Sequence, residues 1–346
     1  MFEVRERPDL ARSTGRGGVT ALTPMLPLGL DDDAVQDALR SLLDEFRHER
    51  GPEEMVAWYY TPMALKFSAH LVPEATVYDC MDELSAFQGA PPELIEQERR
   101  LFERADVVFA GGASLYESKR ARHANVHLFP SSIDREHFMG ARRLQTDPHD
   151  QTGIPHPRIG FFGVIDERLD RDLLKEMAAR HPEWHFVMIG PVVKIREDDL
   201  PRGANIHYLG QKEYENLPAY ISGWDVAMLP FAQNSSTRFI SPTKTPEYLA
   251  AGKHVVATPI HDVVRPYGEL GLVKIAGNAE EFSAAIEACF NDPDEHRLAK
   301  VDEFLSGNSW DNTFEKMWEQ IGRCLAHRRA RFAPGPQSDQ RSSPDV

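Results

Sequence analysis

The stretch "RIGFFGVIDERLDRDLLKEMAARHPEWHFVMIG", residues 158–190, decides the fold. It opens on an apolar run ending at Gly163, continues as the helical "RDLLKEMAARH", and closes on a second apolar run ending at Gly190. Strand, helix and strand in that order are the unit from which parallel sheets are built. Downstream, "NIHYLG" (205–210), "DVAMLP" (225–230), "HVVATP" (254–259) and "GLVKIA" (271–276) repeat the strand signal, separated by the helical "YENLPAYISG" and "TPEYLAAG" and followed by "AEEFSAAIEACF". Five of these six runs end in glycine or proline, where a parallel strand hands over to a loop.

Upstream the same alternation holds. "MVAWYY" (55–60), "ATVYDC" (75–80), "ADVVFAG" (105–111) and "NVHLFP" (125–130) are strand candidates, and "PELIEQERRLFERA" carries Leu94, Ile95, Glu98, Leu101 and Phe102 at helical spacing. The polar, proline-rich stretch from Arg142 to Pro157 reads as a linker. The expected architecture is therefore α/β with two Rossmann-like domains, 1–148 and 149–330, and a disordered tail over 331–346. The first domain starts without an apolar strand and glycine-rich turn. It begins instead with a strand pair, "FEVRER" and "GVTALTPMLP", and a helix, "DDAVQDALRSLLDEFRHE".

Composition narrows the function. Against 39 lysines and arginines stand 54 aspartates and glutamates, a net charge of −15, which disfavours a nucleic-acid groove. The three cysteines, Cys80, Cys289 and Cys324, are isolated and odd in number, so neither a disulfide framework nor a zinc knuckle is expected. With no signal peptide and no apolar run of about 20 residues, the expected location is the cytoplasm. The basic run "SKRARH" (118–123) reads either as solvated surface or as a peripheral contact with the inner face of a membrane.

In doubly wound sheets ligands bind beyond the carboxyl ends of the strands, so the turns there hold the candidate residues. Between "DVAMLP" and "HVVATP" lies "SPTKTPEYLAAGK" (241–253), where Pro246 suits the first turn of a helix. A helix N-terminus with Lys244 alongside suits phosphate, and Glu247 can accept hydrogen bonds from a vicinal diol such as ribose. The alternative is a solvated Lys244 and a Glu247 that only favours the helix dipole. Arg238, in the long loop before this motif, is either a second phosphate clamp or solvated. Gly163 either admits a ligand close to the backbone or serves a tight turn. Asp79, at the end of "ATVYDC", and Asp82, three residues on, are candidates for a general base, with helix capping as the alternative for Asp82.

The ordered set "NIHYLGQKEYENLPAYISGWDVAMLPF", "SPTKTPEYLAAGKHVVATPI" and "NSWDNTFEKM", with "YDCMDE" and "PSSID" in the first half, resembles glycosyltransferases of the two-Rossmann-domain GT-B class in the family 1 and 4-like group. The likeness is strongest to bacterial glycan-building members such as xanthan-type and teichuronic-acid-type glucuronosyltransferases. It implies a nucleotide-sugar donor on the second domain, an acceptor on the first and catalysis in a cleft between them, with no divalent metal and no cofactor beyond the donor substrate. By the same resemblance Glu247 matches the ribose-binding carboxylate and Lys244, with Gly163 and Arg238, the diphosphate site. Tyr214 and Leu217 fall in the base-pocket segment, and Asp82 or Asp79 matches the acceptor-activating aspartate. The helix from Ser309 to about Arg328 resembles the last helix of the class.

Two departures stand out. Phe239 occupies a position where many relatives carry a glutamate, and the first domain looks abbreviated. The expectation is a metal-independent hexosyltransferase that moves a hexose or uronic acid to a glycan or lipid-linked acceptor in cell-surface polysaccharide synthesis. Alternatives are a nucleotide-sugar epimerase or hydrolase of the same fold, or a truncated, non-catalytic nucleotide-binding homologue.

Overall fold

A computed structural model describes residues 7–332 except Gln145 and Pro293. The tail lies outside the described residues from 333 on, and "FEVRER" lies outside them but for Arg7. The chain separates into two compact units. One gathers the residues up to Asp79, Pro91–Val108 and those from Gln320 on; the other gathers Cys80–Ala90 and Phe109–Glu319.

The chain starts with an antiparallel hairpin, β1 (Asp9–Thr14) and β2 (Thr20–Met25), so the described partner of the second strand is "DLARST". Helix α1 (Asp32–Arg50) follows, capped by Asp31, whose carboxylate accepts from the Ala34 amide at 2.8 Å. Strands β3 (Val56–Tyr59), β4 (Ala75–Cys80), β5 (Val107–Ala110) and β6 (Val126–Leu128) form a four-stranded sheet in chain order. Helices α2 (Leu65–Ser68), α3 (Glu93–Arg104) and α4 (Ala113–Lys119) connect them, and α5 (Arg135–Met139) follows. On α3 the expected face is corrected: Ile95 is 65% exposed while Glu98 is buried, because the Tyr78 hydroxyl donates to Glu98 at 3.0 Å.

The larger unit is built on β7 (Arg158–Phe162), β8 (His185–Ile189), β9 (Ile206–Gly210), β10 (Val226–Leu229), β11 (His254–Ala257) and β12 (Lys274–Ile275). All neighbours are parallel, in the order β12-β11-β10-β7-β8-β9. The chain thus winds outward from β7 to one edge, then restarts beside β7 at β10 and winds to the other. Helices α6 (Arg171–Arg180), α7 (Leu217–Ser222), α8 (Lys244–Ala250), α9 (His261–Val263), α10 (Ala279–Phe290), α11 (Asp294–Leu305) and α12 (Trp310–Phe332) complete the described chain. Asp170 starts α6 by accepting from the Leu173 amide at 2.9 Å, and Leu173, Leu174, Met177 and Ala178 are buried. Among the described residues no helix is long and apolar enough to cross a membrane.

The stretch expected as a linker packs closely within this unit. Gln151, fully buried, donates to the Tyr220 carbonyl at 2.9 Å and accepts from the Trp224 indole at 3.0 Å. Arg158 donates to Asp147 at 2.6 Å. Most of its other polar residues are exposed, so within this stretch the buried hydrogen bonds centre on Gln151.

Trp224 also lies over β7, where a Cβ at Gly160 would sit 1.9 Å from its ring. Gly160→Ala therefore overpacks the sheet and is expected to lower the unfolding free energy by about 1–3 kcal/mol, read as a lower urea midpoint at unchanged slope.

Candidate functional site

The order of the six-stranded sheet places a switch point between β7 and β10, where successive connections leave in opposite directions and a crevice opens at the strand ends. The loops after these strands make a cavity of about 260 Å3. Phe161, Val164 and Arg168 come from β7 and its loop; Phe231, Ile240 and the segment Ser241–Lys244 come from the loop after β10. Met81 and Asp82 follow β4, and Ser131 follows β6.

Lys244 reaches this place because α8 is fastened to the end of β7. The buried Tyr248 hydroxyl accepts from the Phe162 amide at 2.8 Å, and the two rings meet edge to face at 5.1 Å. One turn earlier, the Lys244 stem crosses Gly163, where a Cβ would lie 2.0 Å from Lys244 Cε. Gly163 holds φ 143°, a conformation that suits glycine. The space above Gly163 is thus taken by Lys244. A Cβ at Gly190 would meet the Gly163 carbonyl at 1.9 Å, so the two strand-end glycines allow their loops to touch.

Lys244 and Glu247 are both partly buried, and neither side chain makes a hydrogen bond or ion pair with any described residue. Burial pulls the Lys244 ammonium below its usual range, while Glu247 opposes that shift. Burial pushes the Glu247 carboxyl up to about 7, against the pull of Lys244. The Lys244 ammonium lies 5.9 Å from the centre of the Phe162 ring, but no described side chain offers either charge a hydrogen bond, which at this burial is costly unless a ligand does.

The second cation in the cavity is Arg168, which the sequence did not single out as a ligand residue. It is braced by Asp166, which is 2% exposed, through Nε at 3.0 Å to both carboxylate oxygens and Nη2 at 2.7 Å. The signal was present in "DER", but an arginine two residues from an aspartate is common on surfaces. Arg238 lies elsewhere. It is exposed and lines a separate cavity of about 470 Å3 with Asn234, Thr237 and His261, its guanidinium 5.0 Å from the Phe239 ring.

Asp82 faces Arg168 across the cavity. Burial raises its carboxyl above the usual range and the Arg168 charge lowers it. Its side chain caps no helix; the short turn after it begins at Glu83 without a side-chain cap. Asp79 belongs to the smaller unit, 3% exposed, with Oδ2 accepting from the Trp58 indole at 3.0 Å and Oδ1 without a partner. Burial pushes it up to about 6.

Tyr214 is 44% exposed and stacks on His137, ring centroids 4.4 Å apart. Burial, with Glu247 next, pushes its hydroxyl up to about 12. Leu217 is 8% exposed and belongs to the core. Lys119, from the run expected as solvated surface or membrane contact, is buried and donates to Glu83 at 2.6 Å.

Residues 156–292 match the family model described as "Glycosyl transferases group 1". A Bacillus subtilis (strain 168) protein described as "Putative teichuronic acid biosynthesis glycosyltransferase TuaH" is 27% identical over 266 residues, 66% of this chain and 67% of that protein. Among solved structures, sucrose-phosphate synthase from Thermosynechococcus elongatus superposes with a TM-score of 0.68 at 14% identity, over 94% of this chain and 87% of that one. Anabaena Alr3699/HepE, solved in complex with UDP and glucose, superposes at 0.63 and 16% identity, over 82% and 81%. The fold is that of the GT-B glycosyltransferases, and residues 156–292 carry the match to glycosyl transferases group 1.

Asp79 carries a pH signature with a definite sign. The folded protein keeps its proton up to about 6, whereas the unfolded chain releases it near 3.8. The folded state therefore binds more protons in that window, and stability falls as pH rises through it. Asp79→Asn removes this loss: from pH 4 to pH 7 the wild-type unfolding free energy should fall by about 2–3 kcal/mol more than the variant's, measured by urea unfolding at both pH values.

Proposed function

We propose that this glycosyltransferase takes its sugar from a nucleoside diphosphate donor and passes it to a hydroxyl of a glycan or lipid-linked acceptor in cell-surface polysaccharide synthesis. One observation carries the donor assignment: Lys244 and Glu247, opposite in charge and partly buried, make no hydrogen bond or ion pair with any described residue at the switch point of a parallel sheet. A nucleoside diphosphate offers each its complement, phosphate oxygens for the lysine and ribose hydroxyls for the glutamate. Ligand pockets span about 300–1,000 Å3, so a cavity of about 260 Å3 suits one part of the donor, and its two cations suit the diphosphate. HepE was solved with UDP, and the name of the Bacillus relative places that protein in teichuronic acid biosynthesis.

In this reading the acceptor oxygen attacks the anomeric carbon, and the bond from that carbon to the diphosphate breaks. The electron pair goes to the β-phosphate oxygen, where Lys244 and Arg168 meet the growing charge. Asp82 takes the acceptor proton; a carboxyl raised by burial is a better base than an ordinary aspartate. Arg168 thus replaces Arg238 as the partner of Lys244. Glu247 holds the ribose, and the half-exposed Tyr214 stands beside it for the base.

Calorimetric titration with UDP, and with GDP and ADP in parallel, tests the donor site. Lys244→Ala and Arg168→Ala should each weaken binding of the preferred nucleotide about 10- to 100-fold, while Arg238→Ala leaves it within about twofold. Asp82→Asn should retain nucleotide affinity and lose transfer. Unchanged affinity in Lys244→Ala for all three nucleotides would overturn the donor assignment.

A further inference from the structure

The loop that carries Asp82 also carries Phe87, an aromatic ring with two cations near its face. Phe87 lies under the Arg168 guanidinium at 5.8 Å and the Lys194 ammonium at 5.3 Å from its centroid. Arg168 comes from the loop after β7 and Lys194 from the loop after β8. Lys194 holds φ 63°, a region that residues other than glycine enter rarely. Such a conformation persists when its surroundings favour it strongly. Lys194 also stands 3.6 Å from Glu167. Two further contacts hold the loop elsewhere: Ser236 donates to the Ala86 carbonyl at 3.3 Å, and Lys119 donates to Glu83 at 2.6 Å.

We propose that Phe87 is a positioning residue: its ring, held by Arg168 and Lys194, fixes the loop bearing Asp82 at a set distance from the cation of the donor cavity. The proposal rests on the assignment of Asp82 as base and Arg168 as diphosphate ligand. Arg168 is already braced by Asp166 through its edge, so the ring does not hold the guanidinium in place. The guanidinium holds the ring, and with it the loop, by attraction to the negative face of the aromatic system. Of the two cations lining the cavity with Asp82, Arg168 and Lys244, Arg168 is the one whose charge draws the Asp82 carboxyl down. Glu83, beside Asp82, is occupied by Lys119. A looser loop weakens the pull of Arg168, and the Asp82 carboxyl rises.

The Asp82 carboxyl can be followed by carbon-13 NMR in the full-length protein labelled at aspartate carboxyls, with Asp82→Asn identifying its signal. Phe87→Trp keeps an aromatic face and should titrate as the wild type does. Phe87→Leu keeps apolar bulk without that face and should move the midpoint upward by about half a pH unit. Lys194→Met, which leaves one cation on the ring, should move it less in the same direction. Ser236→Ala removes a contact to the same loop without touching the ring and should leave the midpoint in place. An unmoved midpoint in Phe87→Leu, or an equal movement in Phe87→Trp, overturns the proposal; if Phe87→Leu does not fold, an unmoved midpoint in Lys194→Met does so. Failure of the underlying site assignment would look different: UDP affinity indifferent to Arg168→Ala and transfer indifferent to Asp82→Asn, whatever the Phe87 variants show.

Discussion

The Tyr248 hydroxyl accepts from the Phe162 amide and donates to the Phe162 carbonyl, at 2.8 and 3.4 Å, in a fully buried setting. Phe162 is the last residue of β7, and its polar groups would be costly to leave unpaired inside the protein. Tyr248 satisfies them, and its ring packs against Phe162 and Trp224. This contact presses α8 onto the carboxyl end of β7. Lys244, one helical turn before Tyr248, is thereby laid across Gly163.

Two glycines make that placement sterically allowed. Gly163 has no Cβ to collide with the lysine stem, and Gly190 has none to collide with the Gly163 carbonyl. The loops after β7 and β8 can therefore lie against each other while α8 descends beside them. Arg168, on the first of these loops, enters the same cavity as Lys244, its guanidinium bonded to the Asp166 carboxylate. The folding forces of the sheet and the assembly of the site are here the same contacts.

The local sequence rules fail around this cavity, the kind of departure expected of a functional site. Lys244 and Glu247 are held at partial burial without a hydrogen bond or ion pair, and the carboxyls of Asp82 and Asp79 are raised by lost hydration. A chain optimised for stability alone would pair or expose these groups. Keeping them apart leaves the cavity with two cations, Lys244 and Arg168, and the Asp82 carboxylate facing one space.

Much of this was legible in one dimension, because strands and helices are declared by apolar runs and periodicities within a dozen residues. The strand positions of both halves and the turn at Gly163 belong to that class. Ile95 and Glu98 do not: which of them is buried depends on a tyrosine hydroxyl from a strand, and no pattern on the helix reveals it. In the stretch expected as a linker, 142–157, the buried Gln151 with its partners on α7 and at Trp224 is likewise invisible in the polar composition. The sequence by itself determined the alternation of strand and helix and the residue types gathered at the strand ends. Only the tertiary structure decided which of them meet. Lateral strand order, not distance along the chain, sets proximity in a parallel sheet, so Arg168 on a distant loop stands with Lys244 in one cavity and Arg238, six residues away, lines another.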